Sequence, residues 1–130
     1  MFKTPVQIRF NDIDLFGHLN NTVYLQFLDQ GKYAYLSRYL TKGFGEGGTA
    51  PVVANINCNF LAPTLIDEEL TVLTKVQSVA DSSFVLYQTI VNAKGETKVE
   101  ARTVMVNIDL TTHRPATVSD EWRRRFAETD

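Results

Sequence analysis

Polar and apolar residues alternate along residues 5 to 11, where Val6, Ile8 and Phe10 are set against Gln7, Arg9 and Asn11, the period-two pattern of a strand. The stretch after it, Asp12 to Asn21, is rich in turn formers. From Asn21 to Leu40 there is no proline, and Tyr24, Phe27, Leu28, Tyr35 and Tyr39 recur at three- and four-residue spacing. This predicts a long helix, apolar on most sides and therefore enclosed rather than laid on a surface. Gly31 inside it costs about 1 kcal/mol relative to alanine, so a neighbouring backbone is expected to approach there. Beyond the helix the pattern returns to strands over Val52 to Leu61, Leu70 to Val79, Phe84 to Val91 and Val99 to Ile108, with turn signals at Asp81-Ser82-Ser83 and Lys94-Gly95-Glu96. From Ser119, a plausible N-cap followed by Asp120 and Glu121 predicts a short terminal helix.

The order β-α-β-β-β-β implies an α+β fold, with an antiparallel sheet and one long helix segregated to a face. The last three strands are joined by hairpin-length connections and should be antiparallel neighbours. No internal repeat, low-complexity tract or linker divides residues 1–130, so one domain is expected. A five-stranded sheet with a single helix leaves a strand edge unpaired and part of its surface bare, and a homo-oligomer cures both defects.

Composition narrows the function classes. The 130 residues are 44% apolar and 22% charged, with a formal net charge of −2. That charge, with a pI of about 5.7, lacks the basic footprint of a nucleic-acid partner. The longest apolar runs, Tyr33 to Leu36 and Phe84 to Tyr87, fall far short of the roughly 20 residues needed to span a bilayer. The N-terminus has no continuous apolar stretch of the secretory kind. A lone cysteine, Cys58, fits a reducing compartment, so a cytoplasmic location is expected. It also excludes a multi-cysteine metal site. Cys58 lies between Ile56 and Phe60 on one strand face, with Asn55, Asn57 and Asn59 on the other, and reads as buried filler.

The chemistry concentrates in Arg9 to Tyr24, where two carboxylates and an imidazole fall between a strand and the start of the long helix. Unpaired N–H groups at a helix start carry partial positive charge and can hold a developing oxyanion. Asn20 or Asn21 would be the N-cap. A carboxylate held near those donors can attack a carbonyl, or activate water to attack it.

The same stretch resembles the hotdog-fold acyl-coenzyme A thioesterases related to 4-hydroxybenzoyl-coenzyme A thioesterase. The shared pattern, Asp-x-Asp-x-x-Gly-His-x-Asn-Asn-x-x-Tyr, is present as Asp12, Asp14, Gly17, His18, Asn20, Asn21 and Tyr24. The later Phe60 to Val72 segment, with a proline turn leading into a strand, is similar to the family's second landmark. The resemblance covers about the first 75 residues well and the remainder in strand order only. It implies a five-stranded sheet wrapped around one helix, hydrolysis of an acyl-coenzyme A thioester, no metal or redox cofactor, and a homodimer or homotetramer in which Asp14 of one subunit lies near its neighbour. It implies Asp14 as the catalytic carboxylate, base or nucleophile, with the polarising helix-start amide near Asn21. Gly17, His18, Asn20, Asn21 and Tyr24 are the accompanying substrate-binding positions. Asp29 and Gly31-Lys32 stand where the family usually has Glu and Ala-Arg, and Asp67-Glu68 stands where Gly-Asp is usual. Those departures bear on substrate preference rather than on the reaction.

Other readings compete at several positions. Asp12 reads as a turn carboxylate bonding nearby amides, and His18 either orients substrate or packs beside the helix start. Asp12, Asp14 and His18 are also possible metal ligands by type, while His113 falls in a polar turn. The paired aspartates resemble those of aspartyl-nucleophile phosphoryl-transfer enzymes, whose crossover helices this chain lacks. Gly43 to Gly48 satisfies G-x-G-x-x-G, yet it follows a helix and precedes a strand, the reverse of the dinucleotide context, and reads as a helix stop and loop. Arg123-Arg124-Arg125 beside Trp122 is flanked by Asp120, Glu121, Glu128 and Asp130 and reads as a solvated helix face. Two functional alternatives remain: an acyl-carrier-protein thioesterase, and a module that binds an acyl thioester without turning it over.

Overall fold

The computed structural model describes residues 1–40 and 46–128. Five strands, β1 (Phe2–Val6), β2 (Thr49–Phe60), β3 (Leu70–Val79), β4 (Ser83–Asn92) and β5 (Thr97–Asp109), form one antiparallel sheet in the order β1-β3-β4-β5-β2. A long helix, α1 (Asn21–Leu36), and a short one, α2 (Asp120–Glu128), complete the fold. This is the α+β hotdog architecture, with β3, β4 and β5 joined by hairpins. Of the Gly43 to Gly48 stretch, residues 43–45 lie outside the described residues, and Glu46–Gly48 form a 3-10 turn that leads into β2.

The first strand lies earlier than its alternation suggests. Val6 pairs with Leu70, the first residue of β3, so the ladder ends there and Ile8 and Phe10 have no strand to join. The chain turns instead through a 3-10 segment at Phe10–Asp12, pinned by Asp12. Pro5 is accommodated because β1 is an edge strand. At the opposite edge, β2 carries a bulge between Val53 and Asn55 and exposes Val52, Val53, Ile56 and Phe60. Cys58 is only half-buried, because an edge strand lacks a neighbour to cover it.

α1 buries Val23, Tyr24, Phe27, Leu28, Gly31, Lys32, Tyr35 and Leu36 against the sheet. Its other face is open within one chain, where Tyr33 is 75% exposed and Leu25 37% exposed, so the helix is covered on one side rather than enclosed. A 3-10 turn at Ser37–Tyr39 tightens its end. Two apolar clusters divide its length. Leu19, Val23, Tyr24, Phe27 and Leu28 pack with Leu70, Val72 and Ile90, while Tyr35, Leu36 and Tyr39 pack with Phe84, Leu86 and Phe126. Gly31 sits between them. A Cβ there would stand 2.5 Å from Val72 Cγ1 and 3.0 Å from Gln88 Nε2, so the close approach comes from side chains, not from a backbone.

Ser119 caps α2 through its hydroxyl, which accepts the Trp122 amide at 3.2 Å. The arginine triplet is not a uniformly solvated face. Arg123 donates to the carbonyls of Val118, Ala80 and Asp81, and Arg125 donates to the Arg38 carbonyl while lying over the Tyr39 ring; only Arg124 is exposed. The acceptors are carbonyls of the β3–β4 turn, of Val118 just before the helix and of Arg38 just after α1, and they hold the two guanidinium groups. No described helix is long and apolar enough to cross a membrane.

Candidate functional site

The segment from Ile13 to Leu19 folds back on itself. Ile13 and Leu19 form a bridge, the Asp14 amide donates to the His18 carbonyl at 2.8 Å, and the Gly17 amide donates to the Asp14 carbonyl at 3.1 Å. Gly17 adopts φ +82°, a left-handed conformation that glycine enters without steric cost. The Asp14 carboxylate closes the loop from inside: its Oδ1 accepts the amides of Phe16 at 2.9 Å and His18 at 3.1 Å. Short polar side chains at such positions commonly bind local amides. Here one oxygen is used that way, and among the described residues nothing is bonded to Oδ2. The loop raises Leu15 and Phe16 into solvent, at 95% and 82% exposure.

Asp12 has a different role. Its carboxylate accepts the Arg9 amide at 2.8 Å and the Arg9 guanidinium at 3.1 Å, and the side-chain bonds from Arg9 hold its pKa below the usual carboxylate value. Its backbone carbonyl receives the Asn20 amide at 2.8 Å. Asp12 is therefore committed to the turn, and among the described residues no group of three or more His, Cys, Asp or Glu could hold a metal ion.

Asn20 is the N-cap of α1 by position, with extended backbone and no side-chain capping bond. The Val23 amide is satisfied by the Asn20 carbonyl at 2.9 Å. The amides of Asn21 and Thr22 have no acceptor among the described residues. They are the orphan donors of a helix start, and they carry its positive end.

Asp14, His18, Asn21 and Tyr24 line one cavity of about 260 Å³, together with Leu19, Phe60, Leu61, Ala62 and Pro63. Gly17 and Asn20 are not on its wall; they shape the loop and begin the helix. Tyr24 is buried, its hydroxyl donating to Thr64 Oγ1 at 2.8 Å, and its ring lies 5.7 Å from that of Phe60. Burial pushes its phenol pKa up, against the opposing Thr64 bond. The Leu61–Pro63 wall comes from the loop after β2, which the proline turn marks in the sequence. A second cavity of about 840 Å³ adjoins the first through His18, Ala62 and Pro63 and is otherwise walled by Leu65, Asp67 to Glu69, the β4–β5 turn and Lys98.

Several contributors are not legible in the sequence. Thr64 ties the proline loop to both the motif and the helix, since its carbonyl accepts the Leu19 amide at 2.8 Å. Lys98, at the start of β5, is 3% exposed yet fully paired. Its ammonium lies 2.9 Å from Glu68 Oε1, bonds Glu96 Oε1, and donates to the Pro63 carbonyl at 2.9 Å. Burial works against its charge, but the bonds to Glu96 and Glu68 outweigh that and raise its pKa. Burial likewise opposes the Glu68 carboxylate, while bonds from Asn92, the Leu65 amide and Lys98 pull its pKa down to about 2. A lysine inside an alternating strand gives no signal that the distant Glu68 awaits it.

The chain matches the family model of the thioesterase-like superfamily over residues 8–126. It is 27% identical over 128 residues to the long-chain acyl-CoA thioesterase FadM of Escherichia coli K12, covering 97% of each chain. Among solved structures it resembles a thioesterase of Thermus thermophilus complexed with coenzyme A and zinc, at 28% identity, 95% coverage of both chains and a TM-score of 0.82. A 1,4-dihydroxy-2-naphthoyl-CoA thioesterase of Synechocystis shares the fold, with a TM-score of 0.85 at 20% identity, covering 99% of this chain and 97% of that one.

Proposed function

The chain belongs to the thioesterase-like superfamily, and on that premise we propose that it hydrolyses an acyl-coenzyme A thioester to the free acid and coenzyme A, with Asp14 as the reacting carboxylate. The observation that carries this reading is the shared cavity: Asp14 and the first residue of α1 line one space, with apolar Phe60 and Leu61 beside them. A thioester carbonyl seated there would direct its oxygen to the free amides of Asn21 and Thr22 and its carbon to Asp14.

Two routes use the Asp14 carboxylate. In one route its oxygen takes a proton from water as that water adds to the carbonyl, and the adduct collapses by breaking the C–S bond, the proton passing to the departing sulfur. In the other it adds directly, forming a mixed anhydride and releasing the thiolate, and water then opens the anhydride. In both, negative charge grows on the carbonyl oxygen and the helix-start amides stabilise it; loss of one such donor typically costs about 10² to 10³ in rate. Carboxylate, amides and water complete the reaction without a cofactor. His18, on the same wall, orients the substrate or the water.

The reading includes a homo-oligomer. β2 presents an unpaired edge with exposed apolar side chains, and α1 leaves Leu25 and Tyr33 open. A second copy pairing at that edge would satisfy the strand's free amides and carbonyls and cover both elements.

The test is thiol release by the purified chain against a panel of short, long and aromatic acyl-coenzyme A thioesters, beside the same acyl group on acyl carrier protein. Turnover on coenzyme A that Asp14→Asn reduces by about 10²-fold or more is the expected result. Equal turnover in Asp14→Asn and parent would refute the assignment. In single turnover in ¹⁸O-water, label in Asp14 establishes the anhydride route, because it enters only when water opens the anhydride at the Asp14 carbonyl; label in the released acid alone is common to both routes.

A further inference from the structure

Lys98 spends two of its three donors on one stretch of chain. Its ammonium holds the Pro63 carbonyl directly and holds Glu68, whose Oε2 returns to the Leu65 amide at 2.7 Å. Glu68 Oε1 also accepts Asn92 Nδ2 at 2.8 Å, and Glu96 completes the charge balance from the β4–β5 turn. The Lys98 carbonyl accepts the amides of Leu61 at 2.8 Å and Ala62 at 3.3 Å. From there Thr64 passes the constraint to Leu19 and Tyr24. Everything converges on residues 61–68, and Ala62 and Pro63 line both cavities.

We propose that Lys98, clamped between Glu68 and Glu96, is a positioning residue that sets the Leu61–Pro63 wall of the Asp14 cavity and thereby controls how tightly substrate is held. The proposal rests on the thioesterase reading of that site. A buried ammonium is costly unless paired, and at a strand start an apolar side chain would fill the same volume without that cost. What the ion cluster adds is directional: two of the three bonds fix the Pro63 carbonyl and Glu68 at once and the third anchors the ammonium to Glu96, whereas apolar packing would leave the loop several arrangements. Lys98 lines the adjoining larger cavity but not the Asp14 cavity, so its loss should act on binding before chemistry.

The experiment compares Lys98→Met, Lys98→Arg and Glu68→Gln with the parent, using steady-state kinetics on the best acyl-coenzyme A and amide hydrogen exchange. In Lys98→Met we expect exchange at Leu65 and Leu19 to accelerate about tenfold or more while β3 and β4 amides keep theirs, and KM to rise about tenfold or more with kcat within about threefold. Lys98→Arg should recover part of the loss, and Glu68→Gln should shift KM in the same direction. If Lys98→Met does not fold, the other two variants decide the matter. Unchanged exchange at Leu65, or a loosened loop with parental KM, would overturn the proposal. So would faster exchange throughout β3–β5 with KM unchanged. The exchange readout works without turnover, so a parent chain with no thioesterase activity would count against the thioesterase reading alone.

Discussion

Tyr24 donates its hydroxyl proton to Thr64 Oγ1 at 2.8 Å, joining the first turn of α1 to the loop that walls the Asp14 cavity. Both partners are buried. Removing the phenol oxygen in Tyr24→Phe leaves the Thr64 hydroxyl without its donor at little change in ring packing. A lost buried bond of this kind costs about 1–2 kcal/mol, which should lower Tm by roughly 3–6 °C. Calorimetry of the variant checks it; an unchanged Tm would mean that the hydroxyl contributes nothing net.

At Gly31 two effects of opposite sign compete. Alanine would gain about 1 kcal/mol of helix propensity, but its Cβ would stand 2.5 Å from Val72 Cγ1 and 3.0 Å from Gln88 Nε2. Val72 is fully buried with a stiff β-branched side chain, and Gln88 is held by the Leu28 carbonyl at 3.1 Å and Thr74 Oγ1 at 3.0 Å. Neither neighbour can retreat, and overpacking costs about 1–3 kcal/mol. Gly31→Ala should therefore be destabilised by about 1 kcal/mol net in urea unfolding, whereas a stabilised variant would show that the sheet yields.

The Glu68 carboxyl titrates at about 2 in the fold, against an ordinary value of 4.5. A depressed folded pKa contributes stability that is complete above pH 4.5 and is lost as pH falls from there towards 2. The gap in Tm between the parent and Glu68→Gln should accordingly be largest near neutrality and close through that window. Lys98, raised above its ordinary value, acts in the reverse sense only at alkaline pH. A gap independent of pH would show that the carboxylate is not linked to folding.

Legibility follows chain locality. The motif loop, the helix start at Asn21, the three hairpin strands and the Ser119 cap rest on neighbours within a few residues, so patterns of two, three and four expose them. Where partners lie far apart the pattern gives no guidance. β1 stops at Val6 because β3 begins at Leu70, Arg123 reaches carbonyls at Ala80 and Asp81, and Lys98 meets Glu68 across the sheet end. The helix pattern predicts enclosure because its apolar residues run round most of its circumference; the single chain buries only one side and leaves Tyr33 and Leu25 outward.

Phe126 anchors α2 over the far end of α1, its ring centroid 5.0 Å from Phe84 and 5.2 Å from Tyr39. Those contacts belong to the second apolar cluster, whereas Tyr24 and Leu19 belong to the first. Phe126→Ala should cost about 3 kcal/mol in stability yet leave KM for the acyl-coenzyme A near the parental value when assayed well below Tm. A large rise in KM would mean that the two halves of the core are coupled through α1.

Gly17 offers a sharper probe of the Asp14 loop. Its φ of +82° lies where only glycine is unstrained, and a Cβ there meets nothing within 4 Å, so any penalty is backbone conformation alone. Alanine in left-handed backbone pays about 1–2 kcal/mol, while asparagine enters that region more readily. The loop can relieve the strain only by releasing the Gly17 amide from the Asp14 carbonyl and swinging Asp14 away from the Phe16 and His18 amides. Activity should thus fall in the order glycine, asparagine, alanine, with kcat/KM for Gly17→Ala reduced about 10-fold or more while global unfolding shifts by no more than the local strain. Equal kcat/KM in Gly17→Asn and Gly17→Ala, both at the parental level, would show that the carboxylate keeps its place without the turn.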